Sequence, residues 1–204
     1  MIEAYTGTPG SGKSYHAARD IRDRFRWKNP VISNMEINVP ENREKCFIYK
    51  DTFDLTPEFL ISYSEELRKE KGWKRVPEDY IYLVIDEAQI LFNCRDWNQN
   101  SRRSWITFFQ MHRKLGYHII LITQMMKMLD KQVWGLCEYE ILHRKLSACG
   151  WKGQLASLLF LSKTVFVSVR MWACLRVKID AEFIRYNKKV ASLYDTAMTY
   201  DIKK

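Results

Sequence analysis

GTPGSGKS, residues 7–14, follows the short and mostly apolar run IEAYT and precedes a segment with helical periodicity. The pattern Gly-x-x-x-x-Gly-Lys-Ser is a complete phosphate-binding loop (P-loop), whose backbone amides converge on phosphate groups at a helix N-terminus. Glycine at positions 7, 10 and 12 permits positive φ angles and close approach of the backbone to a ligand. A strand before the loop and a helix after it are the context that the motif requires, so the sequence predicts a nucleotide site.

We expect the whole loop to surround the phosphates. Lys13 is expected to reach the β- and γ-phosphates and to assist catalysis, and Ser14 to offer its hydroxyl to Mg²⁺. The alternative is a glycine-rich turn with an incidental lysine, and the flanking strand and helix argue against it. The predicted nucleotide-binding residues are Gly7, Thr8, Pro9, Gly10, Ser11, Gly12, Lys13, Ser14 and Tyr15.

Two acids end the buried strand in DYIYLVIDEAQ, residues 79–89. With that strand placed beside the loop strand, Asp86 would hold Mg²⁺ through water, and Glu87 would polarise the attacking water as the catalytic base. One acid suffices for binding, so two in succession favour hydrolysis. The alternative interpretation is a pair of acids that caps a strand end.

Gln124, at the end of the strand YHIILITQ, is a third catalytic candidate, because an amide there can orient water or sense the γ-phosphate. The alternative is a glutamine that merely ends a strand. A charge-stabilising arginine is worth about 10³ to 10⁵ in rate, and in a ring it comes from a neighbouring subunit. The sequence does not choose among the candidates Arg102, Arg103 and Arg113, each of which is equally compatible with a surface position. No Asn-Lys-x-Asp segment is present, which favours ATP over GTP.

Apolar strands alternate with helices along the first 150 residues. This order predicts an α/β fold with a mostly parallel sheet covered by helices on both faces. The helices are predicted at 14–26, 57–71 and 104–116. The strands are predicted at 2–6, 31–34, 46–50, 79–89, 117–124 and 138–145, the last of these closing the sheet.

The C-terminal part is predicted to be a small extension, residues 151–204, packed on a P-loop core formed by residues 1–150. Residues 153–175 are the closest match to a membrane span, but Lys163 and Arg170 interrupt the apolar run. From Leu175 to Ile179 apolar residues alternate with basic ones, which is the period of a strand. We therefore predict a β-hairpin over about 162–180 and no membrane crossing.

The chain of 204 residues has a formal net charge of +9 and a pI of about 9.3. This excess predicts an anionic partner, either nucleic acid or the acidic inner leaflet of a membrane, and a solvated basic surface is the alternative. Residues 24–28 and 71–75 mix cations with tryptophan, which suits single-stranded DNA but is also typical of an exposed face.

Cysteine usage indicates reduced thiols in the cytosol, because the five cysteines are odd in number and form no Cys-x-x-Cys. The spacing of Cys137, His143 and Cys149 matches no zinc pattern, so buried thiols are the preferred interpretation. We expect no signal peptide before the P-loop.

The chain resembles the Zot (zonular occludens toxin-like) family, because several of its segments occur in the order seen in that family. The family includes the assembly ATPases of filamentous bacteriophages. The resemblance extends over about residues 2–196. The family is in turn similar to the larger FtsK/HerA group of DNA-pumping ATPases. The segments are AYTGTPGSGKSYHA, VISNMEIN, YLVIDEAQILF, FFQMHRKLGYHIILITQ and VASLYDT.

The resemblance implies an additional-strand P-loop fold, with one strand inserted between the loop strand and the Asp86–Glu87 strand. It also implies the roles given above for the site residues, which are Lys13, Ser14, Asp86, Glu87 and Gln124. The expected activity is ATP hydrolysis with Mg²⁺ in a homo-oligomeric ring, expected to be a hexamer, at the cytoplasmic face of the host inner membrane.

The expected partners are phage single-stranded DNA, coat proteins and membrane export proteins. Many family members continue into a transmembrane helix, so membrane contact is expected from such a helix or from a partner protein. Two alternatives stay open: a DNA-packaging or conjugation ATPase of the FtsK/HerA type, and an ATP-dependent switch or scaffold without sustained turnover.

Overall fold

The computed structural model describes residues 1–93, 99–148 and 164–194. The strands that it contains form one eight-stranded sheet in the order β3-β2-β4-β5-β1-β6-β7-β8. They are β1 (Ile2–Thr6), β2 (Val31–Ser33), β3 (Phe47–Tyr49), β4 (Ile81–Ile85), β5 (Tyr117–Ile122), β6 (Tyr139–Lys145), β7 (Val165–Trp172) and β8 (Val177–Arg185). The helices are α1 (Lys13–Arg26), α2 (Pro57–Glu70), α3 (Gln99–Met111), α4 (Lys131–Leu136) and α5 (Lys188–Ala191). Short 3₁₀ turns occupy Glu41–Cys46, Met126–Met128 and Leu146–Ala148.

Strands β1 to β6 run parallel, and β5 lies between the loop strand β1 and the acidic strand β4. The predicted α/β class and the inserted strand are therefore confirmed. The expectation that the Asp86 strand lies directly beside the loop strand was wrong, because β4 and β1 both pair with β5. We call the ends of the parallel strands that follow Thr6, Ser33, Ile85 and Ile122 the carboxyl edge. The opposite ends, which precede Ile2, Val31, Ile81, Tyr117 and Tyr139, form the amino edge.

The C-terminal hairpin continues the sheet instead of ending it at β6. Strand β7 pairs antiparallel with β6 along its whole length, and β8 pairs antiparallel with β7. The prediction that residues 138–145 form the last strand was wrong, since this pairing joins segments distant in sequence. The predicted division between residues 150 and 151 lies within 149–163, outside the described residues, and it stays a prediction.

Residues 165–172, in the second half of the closest match to a membrane span, form β7, the first strand of the hairpin that the sequence predicts over about 162–180. None of the helices that the structure describes is long and apolar enough to cross a membrane.

Helix boundaries follow local chemistry. The Thr56 hydroxyl accepts a hydrogen bond from the Phe59 amide at 3.3 Å, so α2 begins where the sequence predicts. Helix α3 begins five residues before its predicted start and ends at Met111. Its polar first turn carries no apolar signal, and residues 112–116 form a turn into β5 that ends at Gly116 with a φ of 80°.

The sheet is buried on both faces in its parallel part. On one face Leu83 and Ile119 pack in the same core as Leu60 of α2 and Phe108 of α3. On the other face, residues of β4 and β5 pack with the apolar side of α1, including Ile21. Two-sided burial explains why these strands read as continuous apolar runs.

Candidate functional site

The P-loop joins β1 to α1 at the carboxyl edge. Its glycines adopt positive φ angles of 141° at Gly7, 73° at Gly10 and 98° at Gly12. The Ser11 amide donates to the Thr8 carbonyl at 3.1 Å, which closes the loop, and Gly12 caps α1. The backbone thus has left-handed turns, next to a helix N-terminus, of the kind that form anion-binding loops.

Glycine is required at two of these positions for reasons of space as well as angle. A Cβ atom at Gly7 would lie 2.5 Å from the His143 carbonyl oxygen of β6. One at Gly12 would lie 2.6 Å from the Phe166 ring of β7. The antiparallel extension of the sheet therefore packs directly against the loop.

Lys13 lies across the loop, with its ammonium group donating to the carbonyls of Gly7 at 2.7 Å and Thr8 at 3.2 Å. Burial lowers the pKa of Lys13, and the carboxylates of Glu87 and Asp86 oppose that effect. The ammonium group is therefore close enough to both acids to feel their charge.

Asp86 and Glu87 follow β4 at the same edge. The Asp86 Oδ1 atom accepts from the Glu87 amide at 2.9 Å, and within the described residues Oδ2 receives no hydrogen bond. Burial raises the pKa of Asp86 to about 6, with a further contribution from Glu87, while the bond from the Glu87 amide and the charge of Lys13 lower it. Glu87 has a φ of 47°, which is uncommon for a residue with a side chain, and the side-chain Nε2 atom of Gln89 donates to its Oε2 atom.

Asn34, which follows β2, holds Asp86 from the other side and was missed in the sequence. Its Oδ1 atom accepts from the Asp86 amide at 2.7 Å, and its Nδ2 atom donates to the Asp86 carbonyl at 3.0 Å. The same Nδ2 atom donates to Thr52 at 2.9 Å. The available signal was a polar residue just after an apolar strand, as in VISN, at the edge where Asp86 was expected.

The remaining predicted loop residues differ in exposure. Thr8, Pro9 and Gly10 form an exposed tip, and Ser14 lies half-buried in the first turn of α1. The Tyr15 side chain is buried, donating to the Arg185 carbonyl at 3.1 Å and accepting from the Asn187 amide at 2.7 Å. That ring ties α1 to the segment after β8, so its backbone amide is the part available to a ligand.

Gln124 lies beside the loop. Its carbonyl accepts from the Gly7 amide at 3.2 Å, and its side chain is exposed. The structure therefore brings Gln124 together with Lys13, Asp86 and Glu87 at the carboxyl edge.

The three candidate arginines divide between the edges. Arg102, in the first turns of α3, pairs with Asp130 at 2.9 Å, and Arg103 is exposed beside it. Both lie toward the carboxyl edge, because α3 runs from the end of β4 back to the start of β5. Arg113 pairs with Glu138 at 2.7 Å at the amino edge, a strand length from the loop of its own chain.

A buried histidine pair beneath the loop was also missed. His16 Nδ1 and His143 Nε2 are 2.6 Å apart, and the Tyr5 ring stacks on His16. Burial lowers the pKa of His16 to about 4 and that of His143 to about 3. Both rings are therefore neutral near pH 7, and they connect α1 to β6 behind the P-loop. Cys137, six residues before His143, is buried at the opposite end of β6, and Cys149 lies outside the described residues.

The two clusters of cations and tryptophan lie at the amino edge. Residues 24–28 close α1, where Arg24 donates to the Asp79 carbonyl at 3.3 Å just before β4. Residues 71–75 follow α2, where Arg75 donates to the Arg113 carbonyl at 2.9 Å. Both clusters are therefore separated from the P-loop by the length of the sheet.

Comparison with known proteins agrees with this architecture. The gene 1 protein of Enterobacteria phage fd is 31% identical over 151 residues, which cover 69% of this chain and 41% of that protein. The chain thus spans less than half the length of that relative. The N-terminal domain of zonular occludens toxin from Neisseria meningitidis has a similar structure, with a TM-score of 0.57, 18% identity and coverage of 95% of this chain and 98% of that domain.

B204, the DNA-packaging ATPase of Sulfolobus turreted icosahedral virus, has a similar fold, with a TM-score of 0.52, 16% identity and coverage of 91% of this chain and 97% of B204. The family described as zonular occludens toxin (Zot) matches residues 1–200. A match of that extent, together with the P-loop, the inserted strand and the acidic pair after β4, shows that this chain belongs to the Zot family.

Proposed function

We propose that the chain is an ATP-hydrolysing motor that assembles filamentous phage and exports phage DNA through the inner membrane. One observation supports this most directly. The P-loop, Asp86 and Glu87 meet at one edge of the sheet, close enough that both acids act on the pKa of Lys13.

Binding is assigned to the loop amides and Lys13. On nucleotide entry, the Lys13 ammonium group exchanges its bonds to the Gly7 and Thr8 carbonyls for phosphate oxygens. Its position over the loop keeps that movement short. The phosphates give the half-buried ammonium group anionic hydrogen-bond partners in place of neutral carbonyls.

The donor set fits a divalent cation, because the Ser14 hydroxyl and the Oδ2 atom of Asp86 are hard oxygen groups of the kind Mg²⁺ prefers. Oδ2 receives no hydrogen bond from the described residues and would hold the ion through water. When bound, Mg²⁺ neutralises charge on the β- and γ-phosphates. The Asn34 bonds to the N–H and carbonyl groups of Asp86 hold the backbone from which that carboxylate projects.

The catalytic base is assigned to Glu87. The side-chain Nε2 atom of Gln89 donates to the Oε2 atom of Glu87. Oε1 receives no hydrogen bond from the described residues and is available to accept a proton from water. Gln124 is assigned the role of orienting that water or sensing the γ-phosphate. A base in this position contributes about 10² to 10⁴ in rate.

The charge-stabilising arginine is assigned to a neighbouring subunit of a hexameric ring. Arg102 and Arg103 lie toward the nucleotide edge of their own chain, whereas Arg113 would reach a site only through contact between the amino edge of one subunit and the carboxyl edge of the next. Membership of the Zot family supports phage DNA, coat proteins and membrane export proteins as partners, with contact to the inner membrane. The fold shared with a DNA-packaging ATPase agrees with a DNA cargo.

The test is steady-state hydrolysis of MgATP, with and without single-stranded DNA, in the wild-type chain and in Glu87→Gln. Glu66→Gln, an exposed position on α2, is the matched control. We expect turnover that rises with DNA, that Glu87→Gln removes and that Glu66→Gln retains.

Turnover that survives in Glu87→Gln would refute the role of Glu87. Turnover that DNA does not change would indicate a protein cargo. Tight ATP binding without turnover in the wild type would favour a nucleotide-dependent switch.

A further inference from the structure

The amino edge concentrates the positive charge of the chain. The segments 22–30, 68–80, 112–116, 137–138 and 172–178 all lie at this edge, and together they hold thirteen lysines and arginines against five acids. Their excess of eight positive charges compares with a formal net charge of +9 for all 204 residues. A surface of this sign attracts an anionic partner over a distance of about one Debye length, roughly 8–10 Å.

Large apolar side chains protrude from the same edge. Trp27, the residue that caps α1, is 79% exposed, and Leu175 in the turn between β7 and β8 is 66% exposed. Val177 and Trp172 flank that turn at 55% and 48%. Exposed apolar groups surrounded by basic ones mark a surface that meets a partner with both an apolar and an anionic part.

The two apolar protrusions lie far apart. Asn29 donates to the Tyr80 carbonyl at 3.1 Å, which places the Trp27 turn next to the start of β4, and Trp172 pairs with Tyr139 at the start of β6. Four strand spacings separate β4 from β7, the strand that holds Trp172, or roughly 19 Å. A partner that contacts both protrusions must therefore be an extended surface and not a small molecule.

We propose that the amino edge docks onto an anionic lipid bilayer. Trp27 and Leu175 enter the interfacial region, and the basic side chains between them face the phosphate headgroups. Tryptophan is favoured at this depth because its ring is apolar and its N–H group can reach the polar layer. Docking in this orientation turns the carboxyl edge, with its P-loop, away from the membrane.

Lipid fits this edge better than the other anionic or apolar partners do. Single-stranded DNA binds basic grooves by stacking bases on aromatic rings, as Trp27 and Trp172 would allow, but the exposed Leu175 and Val177 beside them are aliphatic and offer no such ring. The same edge of a second copy would bring like charges together. Docking does not require ATP hydrolysis, so it stands apart from the proposed motor function.

The test is co-sedimentation of the chain with phosphatidylcholine vesicles that do or do not contain phosphatidylglycerol. We expect binding only with phosphatidylglycerol, and a decline in binding as salt is raised. Trp27→Ala/Leu175→Ser should lower the partition coefficient about tenfold. Lys28→Gln/Lys74→Gln should lower it about 30-fold, since each basic residue near an anionic surface contributes roughly fivefold.

The matched control is Lys188→Gln/Lys189→Gln, which removes two exposed lysines of α5, on the side of the carboxyl edge. This variant should bind vesicles within about twofold of the wild type on the same scale. An unchanged melting temperature, and an unchanged response of that temperature to MgATP, should be seen in every variant. These two readouts separate a docking defect from misfolding or from a failure at the nucleotide site.

Three outcomes would overturn the proposal. One is equal vesicle binding by the wild type and the amino-edge variants. Another is loss of affinity for single-stranded DNA with vesicle binding unaffected. The third is no binding to anionic vesicles, with a change in assembly mass by light scattering when Trp27 and Leu175 are replaced.

Discussion

The two edges of the sheet lie at opposite ends of the same strands and use charge in opposite ways. At the carboxyl edge the positive charge of Lys13 lies near the negative charges of Asp86 and Glu87. All three side chains are partly buried and make hydrogen bonds within the site. At the amino edge the charges are mostly of one sign, and Trp27 and Leu175 between them are exposed. A fixed, desolvated charge can bind and orient one substrate, whereas exposed like charges attract a partner without orienting it. The difference separates a site for chemistry from a surface for attachment.

Asp86→Asn tests whether the carboxyl edge sacrifices stability for binding. The folded pKa of about 6 lies above the ordinary value of 3.8. The unfolded chain therefore releases this proton first as pH rises, and the aspartate makes the metal-free fold less stable above pH 6 than at pH 4. We expect Asp86→Asn to raise the free energy of unfolding at pH 7 by about 3 kcal/mol, and to have little effect at pH 4.

Chemical denaturation in EDTA measures this change. Asp54→Asn, at an exposed carboxylate of the same edge, should stay within about 0.5 kcal/mol of the wild type. An Asp86→Asn protein less stable than the wild type at pH 7 would show that this carboxylate is a structural group.

Asn34→Ala tests the contribution of the clamp on Asp86. The substitution removes two hydrogen bonds to the Asp86 backbone and one to Thr52. We expect a loss of about 1–3 kcal/mol in the free energy of unfolding, because the partners of the removed, half-buried side chain stay unsatisfied. Denaturation and kcat should be measured together, with Asn42→Ala as an exposed control. Loss of stability without loss of kcat would limit Asn34 to a structural role.

The affinity for MgATP should decrease as the pH is lowered, because Asp86 becomes protonated. At pH 5, one unit below the pKa of about 6, only about a tenth of the carboxylates are ionised, so the affinity should be about tenfold lower than at pH 7. Calorimetric titration of the wild type beside Asp86→Asn separates this effect from the titration of ATP itself. Parallel pH profiles in the two proteins would exclude Asp86 from metal binding.

The smallest expected effect belongs to the amino edge. Trp27→Ala should change the free energy of unfolding by no more than about 0.5 kcal/mol, because the side chain is 79% exposed. Phe25→Ala, two residues away but buried, should cost about 3–5 kcal/mol. Denaturation of both variants checks the contrast, and a large loss in Trp27→Ala would mean that this tryptophan serves the fold.

The sequence predicts features whose information is local. The P-loop, the strand before the acids and the Thr56 cap each lie within about ten residues, and each is where its motif places it. Asn34 and the His16–His143 pair were missed because their partners come from strands distant in sequence. The same reason hid the pairing of β6 with β7, since hairpin patterns do not specify the strand that the hairpin joins.

The measurement that tests the central claim most directly is the melting temperature with and without MgATP, for the wild type beside Lys13→Ala. If the P-loop at the carboxyl edge holds the nucleotide, MgATP at about 100 times its Kd stabilises the wild type by about 2.7 kcal/mol, a shift of a few degrees. Lys13→Ala should melt in the same range without ligand and show no shift. A shift retained in Lys13→Ala would place the nucleotide elsewhere and contradict the account.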